Sequence, residues 1–516
     1  MSGFTSLGKK GSGTGGGGGG SNANAMGPFG TSLVSNLVPA AQATFVYGTT
    51  PNSLLWVTSS AGTGAVVSVS EGIMSCSSGT SLSGSSSVRL SRHIRYRAGQ
   101  GVMCRLTSIF DTGVADTKQL AGVGNRESGY YFCKNGTNFG ILHRERSKRE
   151  IRSFTINAQA SVTVVVTLNG ESKSFAINGG SNANQTSYLI SQQDYSKIGS
   201  GWQAESIDGT VYFISDVPGP FGGTFSITVS GVSIVSATST VQSGELPVET
   251  FISQSSWNLD TLDGNGQSRM NLDTSKGNIY GVGYQYLGFG DPIFSVENPE
   301  SGLLVDVHRI QTANSKNTLV LRNPSTTARW EAINSGSSAA NVTIKGASAA
   351  IFNEGQVIRN IGVAYATGSS KDSVSSTIVP VLSLRCNRIF NNQASYGEID
   401  LFNLSLGCNA GSSSSGKILK FIIYKNASLG GAVNFQNIDS TRSIVASDSA
   451  ATTVSTAANT QALKEIIVGA NSSVTLSVES ENFYLSNGDT LTIAAVRAGN
   501  TDVEAALVSV GWFEDQ

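Results

Sequence analysis

The chain has 516 residues, a formal net charge of −1, 60 glycines and only 13% charged residues, against roughly 25% in average soluble domains. Its length is too great for one simple core, so two or three domains are expected. The near-neutral balance provides no overall field for nucleic acid or an anionic membrane. The 39% hydrophobic fraction argues against global disorder, and no run of about 18 apolar residues could span a membrane as a helix.

Residues 1–30 form a Gly/Ser/Asn arm without the apolar core of a secretory signal. Its glycine run cannot offset the entropy cost of ordering by itself. Two readings stay open: a floppy tail or spacer, and an assembly arm that threads between neighbouring subunits and orders only there. From residue 31 to 153 the pattern is β throughout, as in TFVYG, SLLWVTS and GAVVSVSEGIMSC. The stretch Arg105 to Ile151 is the clearest part. Apolar-alternating runs (LTSIF, YYF, FGIL) alternate with turn clusters (DTG, GNRESG, KNGTN), which is the signal of consecutive hairpins.

Residues 154–238 change texture. VTVVVTLNG and KSFAING read as a hairpin. NANQTSYLISQQDYSKIG reads as a helix capped at Asn184 or Thr186, with apolar Tyr188, Leu189, Tyr195 and Ile198 and a stop at Gly199. Three strands follow, so this segment is expected to be a small α+β insertion. The sandwich resumes over 239–341, and a second β-sandwich is expected over 342–516. The fold class is therefore mainly β: multidomain, jelly-roll-like antiparallel β-sandwiches with a small α+β insertion.

Motifs for chemistry are sparse. Five cysteines (Cys76, Cys104, Cys133, Cys386, Cys408) are odd in number and far apart, with no zinc spacing. Buried free thiols are expected, although Cys104 and Cys133 could lie on neighbouring strands. His93, His143 and His308 form no HExxH, and His143 reads as a strand-end residue. No GxSxG elbow or phosphate loop is present. Asp260, Asp263 and Asn265 resemble part of a calcium loop, but Asn271 stands where the closing Glu belongs, so an Asp/Gly-rich hairpin is the better reading. Glu398 and Asp400 alternate in YGEIDLF without the third acid of a glycosidase strand. No catalytic, cofactor or metal residue is assigned, and no cofactor is expected. Trp202, Trp257, Tyr284 and Tyr286 are candidate sugar-stacking platforms, with ordinary core packing as the commoner role. Arg89, Arg92, His93, Arg95, Arg97 and Arg105 are the nearest thing to a basic patch, and solvated edge charges are the simpler account. Asn-x-Ser/Thr sites at Asn135, Asn341, Asn403, Asn426 and Asn471 follow from composition.

Three strings, RYRAGQGVMCRLTSIFD, QLAGVGNRESGYYFCKNGTNFGILHRE and YQYLGFGDPIFSVENPESGLLVDVHRIQTAN, resemble structural proteins from virions of large double-stranded DNA viruses. The first part is also similar to the laminin-G or concanavalin-like sandwich in its strand order. The resemblance covers roughly residues 27–355 and carries no catalytic residue. It implies a non-enzymatic virion component (capsid-associated, fibre or tail) that works by subunit assembly. It also implies other virion proteins as partners and a symmetric homo-oligomer, with a trimer as the working number. The alternative is a host-attachment protein that binds surface carbohydrate. Neither reading calls for nucleic acid or a membrane span.

Overall fold

The computed structural model describes residues 37–515 apart from 95, 97–98, 162, 179–181, 200, 230–233, 337–339, 356–361, 413–414, 457–459 and 479–482. The Gly-rich arm lies outside the described residues. Every described strand pairing is antiparallel.

Two large sheets face each other in the first sandwich. One runs in the order Leu304–Arg309, Ile293–Glu297, Asn278–Tyr284, Val102–Phe110, Thr343–Gly346, Ile73–Ser77 and Val66–Ser70. The other runs Trp202–Ile207, Thr210–Pro218, Asn138–Ile156, Gly129–Asn135, Thr117–Gly124, Thr327–Asn334, Ser85–Leu90 and Trp56–Ala61. The period-2 alternation of each strand turns one set of side chains inward. On Thr327–Asn334 these are Ala328, Trp330 and Ala332, all fully buried. Phe45 stacks on Trp56 at 4.1 Å between ring centroids, and Trp56 lies 5.8 Å from Trp330. Phe132 meets Tyr280 of the facing sheet at 4.6 Å. Tyr130 and Phe139 join this core, whereas Tyr131 points to the opposite face and is buried there. Burial of each such ring contributes a few kcal/mol.

The expected boundary at 342 is corrected. Thr343–Gly346 pairs with Ile73–Ser77 and Val102–Phe110, and Ser348–Glu354 pairs with Val102–Phe110 and Leu37–Thr44. Ile344, Ala349 and Ile351 belong to the first core, so both strands close the first sandwich. Alternation fixes which side of these strands is apolar but not which core receives it.

The insertion is also wider than expected. The strand Asn138–Ile156 pairs with Glu245–Ser253 over its first half and with Thr210–Pro218 and Val235–Gln242 over its second. The module thus begins inside a strand of the sandwich. The hairpin Thr163–Leu168/Glu171–Ala176 turns at Asn169 and Gly170, with φ of 53° and 84°, the two-residue turn that Asn-Gly favours. It packs with the helix Ala183–Ser191 over Phe154, Val164, Val166, Ile190 and Phe213. The helix cap is Asn182, whose Oδ1 accepts from Gln185 N at 2.9 Å, rather than Asn184 or Thr186. The helix ends at Ser191, well before Gly199, because Asp194, Tyr195 and Ser196 form a turn with Ser196 N on Asp194 Oδ1.

The C-terminal sandwich packs a five-stranded sheet on a six-stranded one, and its eight principal strands follow the jelly-roll order. One sheet runs Val363–Val374, Val503–Asp515, Glu398–Asn409 and Ser472–Ser477. The other has Val379–Cys386, Thr490–Arg497, Ile418–Lys425 and Gln461–Gly469 in that order. Between them lie Leu384, Leu404, Phe421, Ile493 and Trp512.

Gly346 packs its backbone on Trp330. A Cβ there would sit 2.6 Å from the indole Cε2, and the ring is held by its Nε1–H donating to Ser108 Oγ at 2.7 Å. Gly346→Ala is expected to cost about 1–3 kcal/mol, read as a lower Tm. Gly277→Ala, whose Cβ would meet nothing closer than 4.0 Å, should melt within a degree or two of wild type. Equal melting of all three proteins would contradict this packing account.

Candidate functional site: a groove on the outer face of the large sheet

The face of the ten-stranded sheet that turns away from the core carries a groove of about 620 Å³. Its lining includes Ser85, Ser87, Lys118, Arg144, Glu249, Glu331 and Ile333 from adjacent strands. Val217 and Pro218, at the end of one module strand, and Leu246 and Pro247, at the start of the strand that follows the module, add an apolar rim. Ser59, Ser83 and Asn334–Gly336 contribute small polar groups.

Alternation explains why charge sits here. On Thr327–Asn334, Arg329 and Glu331 point outward between the inward Trp330 and Ala332. Glu331 accepts from Arg329 Nη2 at 2.9 Å and from Arg144 Nη1 at 3.5 Å. Arg144 Nε donates to Glu249 Oε1 at 2.8 Å, and Lys118 Nζ reaches Glu249 Oε2 at 2.5 Å. Arg329 Nη2 also donates to Ser87 Oγ at 3.0 Å. Burial alone would raise both carboxyl pKa values, but the cations override it. Arg329 and Arg144 hold Glu331 down at about 2, and Arg144 with Lys118 holds Glu249 below its ordinary value. Arg126 closes one end, donating to the Asp216 carbonyl with its guanidinium 3.7 Å from Asp216 Oδ1. The site can therefore offer hydroxyls, ionised carboxylates and cations beside a patch of aliphatic surface.

The sequence candidates lie elsewhere. Trp202, Trp257, Tyr284 and Tyr286 are all buried in cores, so none is a stacking platform. The basic cluster is split. Arg92 stacks over Tyr484 of the jelly roll at 3.8 Å, and Arg105 lies on the other sheet over Phe352 at 5.8 Å. Arg89 is half-buried, and burial with Arg329 and Arg126 nearby pulls its pKa down to about 9. Arg95 and Arg97 lie outside the described residues. His93 meets Glu398 across the seam between the sandwiches: Glu398 Oε1 accepts from His93 N at 3.0 Å and lies 3.3 Å from Nδ1. Burial lowers the His93 pKa.

Glu398 and Asp400 are both buried, so they face no open cleft. His143 is a mid-strand residue, not a strand end, and its Nε2 donates to Val320 O at 2.9 Å. His308 Nδ1 accepts from Asn258 N at 3.1 Å. Asp260 accepts from Leu262 N and Ser268 N, and Asp263 from Asn265 N, so these carboxylates organise turns. No cluster of three or more metal-ligating side chains occurs among the described residues. All five cysteines are free and buried, and Cys104 and Cys133 lie in different sheets. Asn341, Asn426 and Asn471 use their side-chain oxygens to accept from Gly79 N, Thr490 N and Ala410 N.

No family model and no curated protein matches the chain. Similar solved structures include the Emp47p carbohydrate recognition domain, 10% identical over 62% of this chain and 97% of that one, with a TM-score of 0.25. A legume lectin-like domain from Entamoeba histolytica is 7% identical over 58% and 89% of the two chains, at 0.22. The Sulfolobus turreted icosahedral virus structure is 7% identical over 93% and 98%, at 0.17. At these scores none of them bears on the site, which rests on its own geometry.

The depressed pKa of Glu331 links the groove to stability. Its carboxylate contributes fully above about 4.5, and that contribution is lost as pH falls toward 2. Glu331→Gln should lower stability at pH 7 by ~3 kcal/mol and flatten the acid limb of the stability curve. Urea unfolding across that range reads both effects. A deficit that is the same at neutral and acid pH would mean that the ion pairs contribute nothing.

Proposed function

We propose that the first sandwich is a glycan-binding module and that a saccharide lies in the groove over Glu331. The observation that carries this reading is the mixture of groups in the groove. Hydroxyls of Ser59, Ser83, Ser85 and Ser87 and the ions of Lys118, Arg144, Glu249 and Glu331 lie beside the aliphatic surface of Val217, Pro218, Leu246 and Pro247. Saccharides present the same mixture, hydroxyls at their edges and C–H patches on their faces. The volume is in the range of small-ligand sites. Binding is expected without cleavage. Glycoside hydrolysis needs one carboxyl kept protonated near neutral pH, whereas Glu331 and Glu249 are both held ionised.

A second reading, assembly as a structural component of a virion, is favoured by the jelly roll. Its strand Gln461–Gly469 ends a sheet, with Ile467 68% exposed, and such an edge can pair with another subunit. The two readings are compatible in an attachment protein carried on a particle.

A glycan array probed with the purified chain should give reproducible hits. Leu246, 70% exposed on the rim, can be changed without disturbing the core. Leu246→Asp is expected to weaken those hits at least tenfold with little change in Tm. A blank array with folded protein would defeat the glycan reading and leave assembly, which cross-linking mass spectrometry of purified particles would then test.

A further inference from the structure

A separate cavity of about 470 Å³ lies in the seam where the insertion module meets the jelly roll. Glu205 comes from the module strand Trp202–Ile207, and Arg385 and Arg388 from the end of the jelly-roll strand Val379–Cys386 and the turn after it. Glu205 and Arg385 are 3% and 5% exposed. Glu205 Oε2 accepts from the Arg388 backbone N at 2.9 Å, but its buried Oε1 has no hydrogen-bond partner. A buried carboxylate oxygen left without a donor costs free energy, so this atom lacks a hydroxyl or other donor.

The cations show the complementary deficit. Arg385 donates to Ser206 O at 2.7 Å and Asn387 Oδ1 at 3.3 Å, and its guanidinium lies over Phe435 at 4.2 Å. Arg388 Nη1 donates to Gln203 Oε1 at 3.3 Å and Asn487 O at 3.4 Å. Neither guanidinium forms a salt bridge with a carboxylate of the described residues. Asp489, also on the wall, is already neutralised by Lys425 at 2.8 Å and bonded to Asn426 Nδ2 at 2.9 Å. Burial lowers the pKa of Arg385, with Glu205 and Asp448 near enough to oppose that shift in part.

We propose that this seam cavity is a second ligand site, for a small sugar acid whose carboxylate pairs with Arg385 and Arg388 and whose hydroxyl donates to Glu205. A planar carboxylate suits guanidinium donors, and a neutral sugar would leave both guanidinium groups without a salt-bridged carboxylate. Because the walls come from two folding units, the ligand would tie the module to the jelly roll. The proposal is independent of the groove, since neither Glu205 nor Arg388 lines it.

Isothermal titration calorimetry on the full chain tests it, with D-glucuronate as probe and D-glucose as neutral comparator. Wild type should bind glucuronate saturably, and glucose at least tenfold more weakly. Glu205→Gln keeps the shape and an acceptor for Arg388 N, and should weaken glucuronate about tenfold. Arg388→Gln should abolish the titration. Saturating glucuronate should raise the Tm of wild type most, that of Glu205→Gln less, and that of Arg388→Gln not at all. No binding by wild type, or undiminished binding in both variants, would overturn the site. Equally tight glucose would overturn the sugar-acid assignment.

Discussion

The backbone hydrogen bonds of one 19-residue strand, Asn138–Ile156, set the geometry on which the rest of the molecule depends. Its first half belongs to the sandwich and its second half to the module, so the module cannot rotate against the sandwich without breaking a ladder. The changeover falls at Lys148 and Arg149, which pair with Glu245 and Pro218. The aliphatic rim of the groove, Val217–Pro218 and Leu246–Pro247, stands beside that changeover. The rim is thus a by-product of inserting one folding unit into the strand of another.

Contacts between the units combine apolar packing, Ile389 on Ile151 and Ile214 and Leu429 with Phe435 on Tyr188, with polar pairs. Glu398 meets His93, the guanidinium of Arg149 lies over Tyr396 at 5.3 Å, and Arg322 donates to Gln393. Buried charged contacts of this kind add little net stability, yet removing one partner is costly. They therefore favour one relative placement of the sandwiches over others. The groove uses the same logic, with Arg144 shared between two carboxylates and Arg329 tied to a serine.

What could be read from the sequence was local. Asn-Gly turns, alternation and the hairpins between Arg105 and Ile151 depend on neighbours a few residues apart, and the structure contains them. The helix was legible, but its cap was not, because Asn182, Asn184 and Thr186 all carry capping chemistry within one turn. The boundary at 342 failed because Thr343–Gly346 and Ser348–Glu354 look alike whichever core they cover. The groove was hidden for a further reason. Lys118, Arg144, Glu249 and Glu331 come from four strands far apart in the chain, and only their lateral order makes them neighbours. The outward pair Arg329 and Glu331, two apart on one strand, was the available signal. The exposed-aromatic search failed because Trp202 and Tyr284 are buried on strands and Trp257 and Tyr286 are buried from the segments that follow Ser256 and Tyr284.

Asn426 and Asn471 use both ends of their amides in turns. The nitrogen of Asn426 donates to Asp489 and that of Asn471 to Gly411 O, and each oxygen accepts from a backbone amide. Each asparagine also stands at the head of an Asn-x-Ser/Thr triplet. A sugar attached to either nitrogen would displace the hydrogen bond that shapes the turn. Producing this chain in a host whose secretory route glycosylates such triplets would therefore set modification against folding, whereas production in a host without that machinery leaves both turns intact.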